Sequence, residues 1–456
     1  MSDAKEDTKF SLKAVVNKKK GKVLFAEVDS AFADVLLSLL TLPLGTIAKM
    51  CKRLPFGSLT TLYTGLENLD SVHFWKEGSK LILLHPRSSS DAESKKLKVQ
   101  LFDSSPLEYF VCPKKCLFVG GFQSISMYFD VGYCKCCNSP TKIEVAENQT
   151  RTIPCDDGVF MKTTSTFVIT DDLHIIPNAG LSQIASFLDV TDIDETKTMA
   201  VTLELHEVLK LIVYSFSCMN PLSGVILDAR LHFEKGTEFI TANASNSNSK
   251  TMNLKLMVQK SNNKLLYAEA EEDFVEFLFS FLIIPLGGVE SLLSGNSNVK
   301  TIDNLYMSAA ILIHDKYFKN LDAKNRLLKP NIPHGYVSKN HIFPLTEDKL
   351  PASYEDGSFR FRVASTNFPN GQGSYLKGPR TYKVTDDLTV TPFCIVSILS
   401  SLVEMKISVS DVEEVELRIG QKEGSSILKA SLTSKCALTD ALLSQTMTKN
   451  PKREQV

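Results

Sequence analysis

Cys112-Pro-Lys-Lys-Cys116 and Cys134-Lys-Cys-Cys137 are the residues whose type and spacing most directly suggest chemistry. They read as C-x3-C, a seventeen-residue spacer and C-x2-C. Two thiolate pairs at the ends of a hairpin can close a tetrahedral Zn2+ site with Zn–S bonds of about 2.3 Å. Asn138 follows the second pair, where a metal knuckle favours a residue tolerant of positive φ. The spacer LFVGGFQSISMYFDVGY reads as strand, glycine turn, strand, so the pattern is zinc-ribbon-like. The expected ligands are Cys112, Cys116, Cys134 and Cys137, and four thiolates leave no open position for catalysis. The first knuckle is one residue longer than usual, and Cys136 offers a further thiol, so Cys136 in place of another ligand stays open. So do a group of reduced thiols and a redox-sensitive cluster.

Other candidates are weaker. Asp171-Asp172 and Asp386-Asp387 are paired carboxylates, but adjacent residues on a strand point to opposite faces and do not converge on one ion. Both pairs sit in V/I-T-D-D-L, where Asp supplies local backbone hydrogen bonds, so a structural turn is expected. The eight histidines form no H-x3-H or H-E-x2-H pair. The chain has no G-x-S-x-G, no Walker A loop and no G-x-G-x-x-G after a strand. Gly371-Gln-Gly-Ser374 reads as a loop rather than a phosphate cradle.

The elements that must position these residues come from a repeat. LKAVVNKKKGKVLFAEVDSAFADVLLSLLTLPLG (12–45) and LKLMVQKSNNKLLYAEAEEDFVEFLFSFLIIPLG (254–287) align without a gap at an offset of 242, with fifteen identical positions among thirty-four. Residues 12–17 and 23–28 predict a β-hairpin around a solvated lysine turn. Asp29 and Ser30 offer an N-cap to a helix over about 31–40. Its apolar positions Phe32, Val35, Leu36, Leu39 and Leu40 follow i, i+3, i+4, i+7, i+8, and Leu37 lies off that stripe, so more than one face should be covered. Pro43 and Pro285 end the two helices. Short helices are expected over 45–54 and 58–69, with strands at His73-Phe74-Trp75 and at 81–85. Farther on, a helix is expected over 180–188, a strand over 201–205 and an amphipathic helix over 207–216. Glu27 and Glu269 are a repeat-equivalent acidic pair, explained by the helix N-terminus that follows.

TFVITDDLHIIP (166–177) returns as TYKVTDDLTVTP (381–392), now at an offset of 215. About twenty-seven residues therefore separate the copies between these anchors, and the cysteine region lies there; its counterpart, NIPHGYVSKNHIFPL, has no cysteine. The expected fold is α+β: two homologous lobes from an internal duplication, each a β-hairpin plus packed helices. Residues 1–240 form the first lobe with the ribbon-like insert at 108–145, 241–250 the linker, and 251–456 a second lobe lacking those cysteines. With FAEVDSAFADVLLSLLTLPLG, GSYLKGPRTYKVTDDLTVTP and ILKASLTSKCALTDALL in view, nearly the whole chain resembles the plant family known as domain of unknown function 674. That resemblance implies a duplicated chain with paired cysteines in this region and attaches no agreed catalytic activity.

Lys+Arg number 51 against Asp+Glu 52 in 456 residues, for a net charge of −1, which disfavours a dedicated nucleic-acid partner. The longest apolar runs reach about a dozen residues, short of the about 20 that a membrane span needs. MSDAKEDTKF has no secretory pattern, so the ten cysteines are expected reduced or metal-bound in a cytoplasmic protein, with a nuclear location left open. The leading expectation is a non-catalytic protein-interaction or scaffold protein with a structural zinc site and an unknown protein partner. The alternative is an enzyme or small-ligand binder with a pocket between the lobes.

Overall fold

A computed structural model describes residues 9–53, 57–75, 77–99, 108–111, 123–126, 144–146, 158–178, 196–233, 250–333, 336–348, 354–356, 359–363 and 373–443. The first half contributes β1 (Phe10–Asn17), β2 (Lys22–Asp29), α1 (Ser30–Ser38), α2 (Leu44–Met50), α3 (Leu59–Asn68), α4 (Glu77–Leu84) and α5 (Asp91–Ser94). Then follow β3 (Glu108–Val111), β4 (Gln123–Ser126), β5 (Glu144–Ala146), β6 (Thr166–Thr170), β7 (Ile175–Pro177), β8 (Thr196–Leu203), α6 (Leu205–Ser215) and α7 (Pro221–Ile226). The second half contributes β9 (Met252–Gln259), β10 (Lys264–Glu271), α8 (Glu272–Ser280), α9 (Leu286–Leu292), α10 (Lys300–Ile311), α11 (His314–Tyr317) and α12 (Leu321–Leu328). It closes with β11 (Tyr354–Asp356), β12 (Phe359–Val363), β13 (Thr381–Val384), β14 (Val390–Pro392), α13 (Ile395–Glu404), β15 (Val412–Ile419) and α14 (Gln421–Thr433).

This is an α+β fold with two antiparallel five-stranded sheets, β7-β6-β2-β1-β8 and β14-β13-β10-β9-β15. A third sheet, β11-β12-β4-β3-β5, takes strands from both halves through the parallel pair β12–β4. The hairpins fold as the sequence predicts, and both carry a register shift at the same repeat position, around Leu24 and Leu266. Asp29 caps α1 by accepting from the Phe32 N–H at 2.9 Å. Leu37 and its counterpart Phe279 are fully buried, so these helices are covered on several faces.

One expected strand is helical instead, and the other is reduced to a single bridge, Phe74 to Leu376. Ser71–His73 is a 3-10 turn capped by Asp70, and 77–84 is α4. A four-residue apolar run such as Leu81–Leu84 does not distinguish strand from buried helix by period alone. Here Lys80 decides locally, its Nζ donating to the Glu67 and Leu69 carbonyls at the C-terminal end of α3. The helix expected over 180–188 and linker residues 241–249 lie outside the described residues.

The two Leu-Pro-Leu-Gly segments meet each other. Pro43 lies against Pro285, and because proline has no N–H the neighbours donate reciprocally: Leu44 N to Ile284 O at 2.9 Å, Leu286 N to Leu42 O at 2.8 Å. The glycines permit this approach. A Cβ on Gly287 would collide with the Leu327 carbonyl oxygen and sit 3.0 Å from that of Leu40. A Cβ on Gly45 would meet the more yielding Pro86 ring at 2.9 Å, and the Leu282 carbonyl at 3.0 Å. Gly287→Ala should therefore cost about 3 kcal/mol or more and Gly45→Ala about 1–2 kcal/mol. Urea unfolding of both variants checks this, and equal losses would show the seam to be softer than its packing implies.

The halves also exchange helices. α3 lies on the second half, with Gly65 against the Val390 backbone of β14 and the Thr61 hydroxyl donating to Asp387 O. α10 lies on the first half in the same way, with Ser308 Oγ accepting from the Ile175 N–H of β7 at 3.0 Å and Asn304 Nδ2 donating to Asp172 O at 2.8 Å. Most of the buried apolar residues form one continuous cluster that runs from Phe10 through Leu36, Phe74 and Phe160 to Phe277, Leu305 and Ile427; Met257, Tyr267, Ile398 and Leu402 form a smaller separate one.

Candidate functional site

α1 and α8 each bury a carboxylate at the same repeat position, Asp34 and Glu276. Asp34 accepts three backbone N–H groups, from Val159 at 2.7 Å, Phe160 at 3.0 Å and Met161 at 2.8 Å. Glu276 accepts from the Leu376 N–H at 2.7 Å and from Asn340 Nδ2 at 2.6 Å. Residues 158–161 and 373–376 are themselves equivalent at the 215 offset, so each acid holds the return loop of its own half. Burial pushes Asp34 up to about 6 against the opposing pull of its three amides. Burial likewise pushes Glu276 up to about 7, opposed by the Leu376 amide and Asn340.

These loops then cross to the opposite half. Lys162 N donates to Tyr317 O at 2.9 Å and Lys319 N to Phe160 O at 2.8 Å; Lys377 N donates to His73 O at 2.8 Å and Trp75 N to Tyr375 O at 3.0 Å. Asp34 and Glu276 thus brace the two crossings. A carboxylate whose oxygens already accept amides aimed from its own chain is a clamp and offers little to a substrate.

The paired aspartates lie in turns as expected, but only the second of each pair bonds locally, and the first reaches across the fold. Asp171 takes the N–H and hydroxyl of Ser223, at 2.7 and 2.6 Å, and Asp386 takes those of Thr439 at 2.8 and 2.7 Å. Asp172 turns the other way, to Thr170 Oγ1 and His174 Nδ1 at 2.7 and 3.2 Å. Burial alone would raise Asp172, but bonds from His174 and Thr170 outweigh it and hold the group at about 2. Leu173 and Leu388 close the turns at φ of 64° and 62°, left-handed backbone held by burying both side chains.

Residues 6–422 match the family described as "Protein of unknown function (DUF674)". The chain belongs to that family. No curated protein and no solved structure matches it.

Within this DUF674 protein, the crossings differ in chemistry. One pairs Tyr317 with Phe167, centroids 6.0 Å apart; the other pairs His73 with Tyr382 at 5.7 Å. At the second, Arg380 Nη1 lies 3.2 Å from His73 Nδ1, and the Tyr382 hydroxyl lies 3.4 Å from it; at the first, the Lys316 ammonium lies 5.1 Å from the Tyr317 ring centroid. Arginine only donates, so Nδ1 is the acceptor and Nε2 carries the proton. Burial, then the charges of Arg380 and Lys377, lower the His73 pKa, with Asp70 opposing. A neutral imidazole whose one lone pair already faces a guanidinium is a poor general base as placed.

The sequence missed Asp34, Glu276 and His73. The 242 offset alone places Asp34 beside Glu276, but nothing in it separates a buried acid from a solvated one. Glu27 and Glu269 lie on the partly exposed face of their sheets, Glu27 near Asn178 and Lys13, Glu269 near Tyr267. Neither caps the following helix; Asp29 and Glu271 occupy the cap positions. Glu290 has no counterpart, Ala48 standing at its repeat position, and burial followed by the nearby Asp303 charge pushes its pKa well above the usual range. Cys112, Cys116, Cys134 and Cys137 lie outside the described residues; among those residues no group of three His, Cys, Asp or Glu is placed to hold a metal. No helix among them is long and apolar enough to cross a membrane.

Proposed function

We propose that this chain is a non-catalytic protein-interaction protein, descended from an internal duplication and carrying a structural zinc site at Cys112, Cys116, Cys134 and Cys137. The observation that carries the reading is the exposed apolar face of α13. Val396 and Val403 are 68 % and 76 % exposed, and Ile395 and Leu399 share that side. Contiguous exposed apolar surface of this kind marks interaction sites. The buried carboxylates argue in the same direction, because each is consumed by its own chain. Matching strand order, matching register shifts and the reciprocal Leu-Pro-Leu-Gly contact support duplication. For zinc the support is the cysteine spacing; the spacer strand β4 pairs with β3 and β12 instead of forming a hairpin between the two cysteine pairs. The neutral charge balance disfavours nucleic acid as partner, and a cytoplasmic setting belongs to the same proposal.

Affinity purification of the full chain from its source tissue tests the function, with a stable stoichiometric protein partner expected. A co-purified metabolite would replace this reading with its rival, a ligand site between the halves, for which His73, Arg380 and Tyr382 are the specific support. Elemental analysis of protein purified without chelator tests the metal. Stoichiometric zinc that disappears in Cys112→Ser/Cys116→Ser is expected, and zinc-free wild type would end the ribbon assignment.

A further inference from the structure

We propose that α13 pairs antiparallel with α13 of a second copy of this chain. The inference deepens the interaction reading by naming the occupant of its exposed face. Ile398 and Leu402 seat α13 on Met257 and Tyr267 at the outer side of the second sheet. That leaves Val396, Leu399 and Val403 outward at the i, i+3, i+7 spacing of a two-helix seam. Met405 and Val409, just beyond the helix, extend the same apolar surface, at 47 % and 65 % exposure.

Charge selects the partner. The N-cap residue, Cys394, makes no side-chain hydrogen bond, and the first turn of α13 has no acid, so the positive end of the helix dipole is uncompensated there. Glu404 sits at the opposite end, where its charge opposes the negative pole of its own helix. Leu399 lies midway, five residues from Cys394 and five from Glu404. A two-fold axis passing beside Leu399 therefore brings Glu404 of each copy level with the bare N-terminus of the other. A parallel pair would instead align like poles. The contact is isologous and closed, as in most homodimers. It is also small beside the about 800 Å² per partner of a standard interface, so a reversible dimer in the micromolar range is expected.

Sedimentation velocity of the full-length chain between about 1 and 100 µM reads this directly. The mass should rise from 50.6 kDa toward twice that value across the series. Leu399→Glu/Val403→Glu should melt within a few degrees of wild type, because both side chains are exposed and an acid near a helix C-terminus costs only about 0.3–1 kcal/mol, while weakening association by more than about tenfold. Glu404→Lys should weaken it several-fold, through repulsion from the facing helix N-terminus. Wild type that stays monomeric at the highest concentration overturns the pairing, whether or not it floats with phosphatidylcholine vesicles, a result that would give the face to lipid. Association unchanged by the double variant also overturns it. Neither outcome touches the affinity purification, on which the broader interaction reading stands.

Discussion

Expressed alone, residues 251–456 should show no cooperative thermal transition, and neither should residues 1–250; co-expression should restore a single sharp one. The reason is the exchange of helices. Without its counterpart, the second half loses the cover that α3 gives β14, and α10 loses the first-half surface formed by β7 and the Asp172 turn. Phe74 bridges Leu376 and stacks on Phe279 at 6.5 Å, while Phe318 bridges Met161, so large apolar groups from each half are buried by the other. Exposing each such side chain costs about 1.5–3 kcal/mol, and four or five of them consume the whole of an ordinary domain's 5–15 kcal/mol. Calorimetry on each half and on the co-purified pair measures this. A lone half that melts sharply would show two separable cores and refute the intertwined reading. The same geometry makes Leu36→Asp or Leu278→Asp a lesion of the entire molecule, since both side chains are buried in the shared cluster.

Asp34→Asn should destabilise the protein by about 2–4 kcal/mol, and Glu276→Gln at neutral pH by no more than about 1 kcal/mol, although both replace a buried carboxylate with its isosteric amide. The difference lies in the donors. Three backbone N–H groups aim at Asp34 and cannot turn away, so an amide NH2 placed there confronts one of them and leaves two donors unsatisfied. Glu276 faces the Leu376 backbone N–H, more weakly that of Tyr375, and the side-chain amide of Asn340, which can rotate by half a turn and present its oxygen. Lys250 then loses an acceptor at Asn340 but keeps the Lys339 carbonyl at 2.9 Å.

Glu276 adds a pH signature. Its folded-state pKa of about 7 lies above the ordinary 4.5, so the folded chain binds the proton more tightly than the unfolded chain. That contribution is fully present below about pH 4.5 and is lost as pH rises through 7. Glu276→Gln should flatten this slope, by an amount on the order of 3 kcal/mol across the window. Urea titrations at several pH values measure both effects. Equal costs for the two amide variants would show that the loop over Asp34 relaxes, and that the acid is not its clamp.

The helices that the sequence announced clearly were the long amphipathic ones with a cap and a stop. Asp29, the Phe32-to-Leu40 stripe and Pro43 act within one stretch of chain, so their physics is local. The Leu81 segment misled because a four-residue apolar run leaves period undefined, and Lys80, reaching from that segment to the end of α3, settled the matter. For the aspartate pairs the turn expectation held, and Asp171 and Asp172 diverge from within that turn, one to Ser223 and the other to Thr170 and His174.

By itself, then, the sequence determined the internal match at offset 242, the hairpin-helix-proline unit, the α+β class, the family and the cysteine spacing that motivates zinc. Each is carried by residue order or by contacts a few positions apart. Only the tertiary structure decided what the repeated Leu-Pro-Leu-Gly is for: it is the seam on which the halves meet. It also decided that Asp34 and Glu276 are buried clamps and that one crossing sets a guanidinium against an imidazole where the other sets an ammonium over a tyrosine ring. Those outcomes depend on which segments return from 64 or more residues away, and aligning the two halves pairs a residue with its counterpart but says nothing of its neighbour.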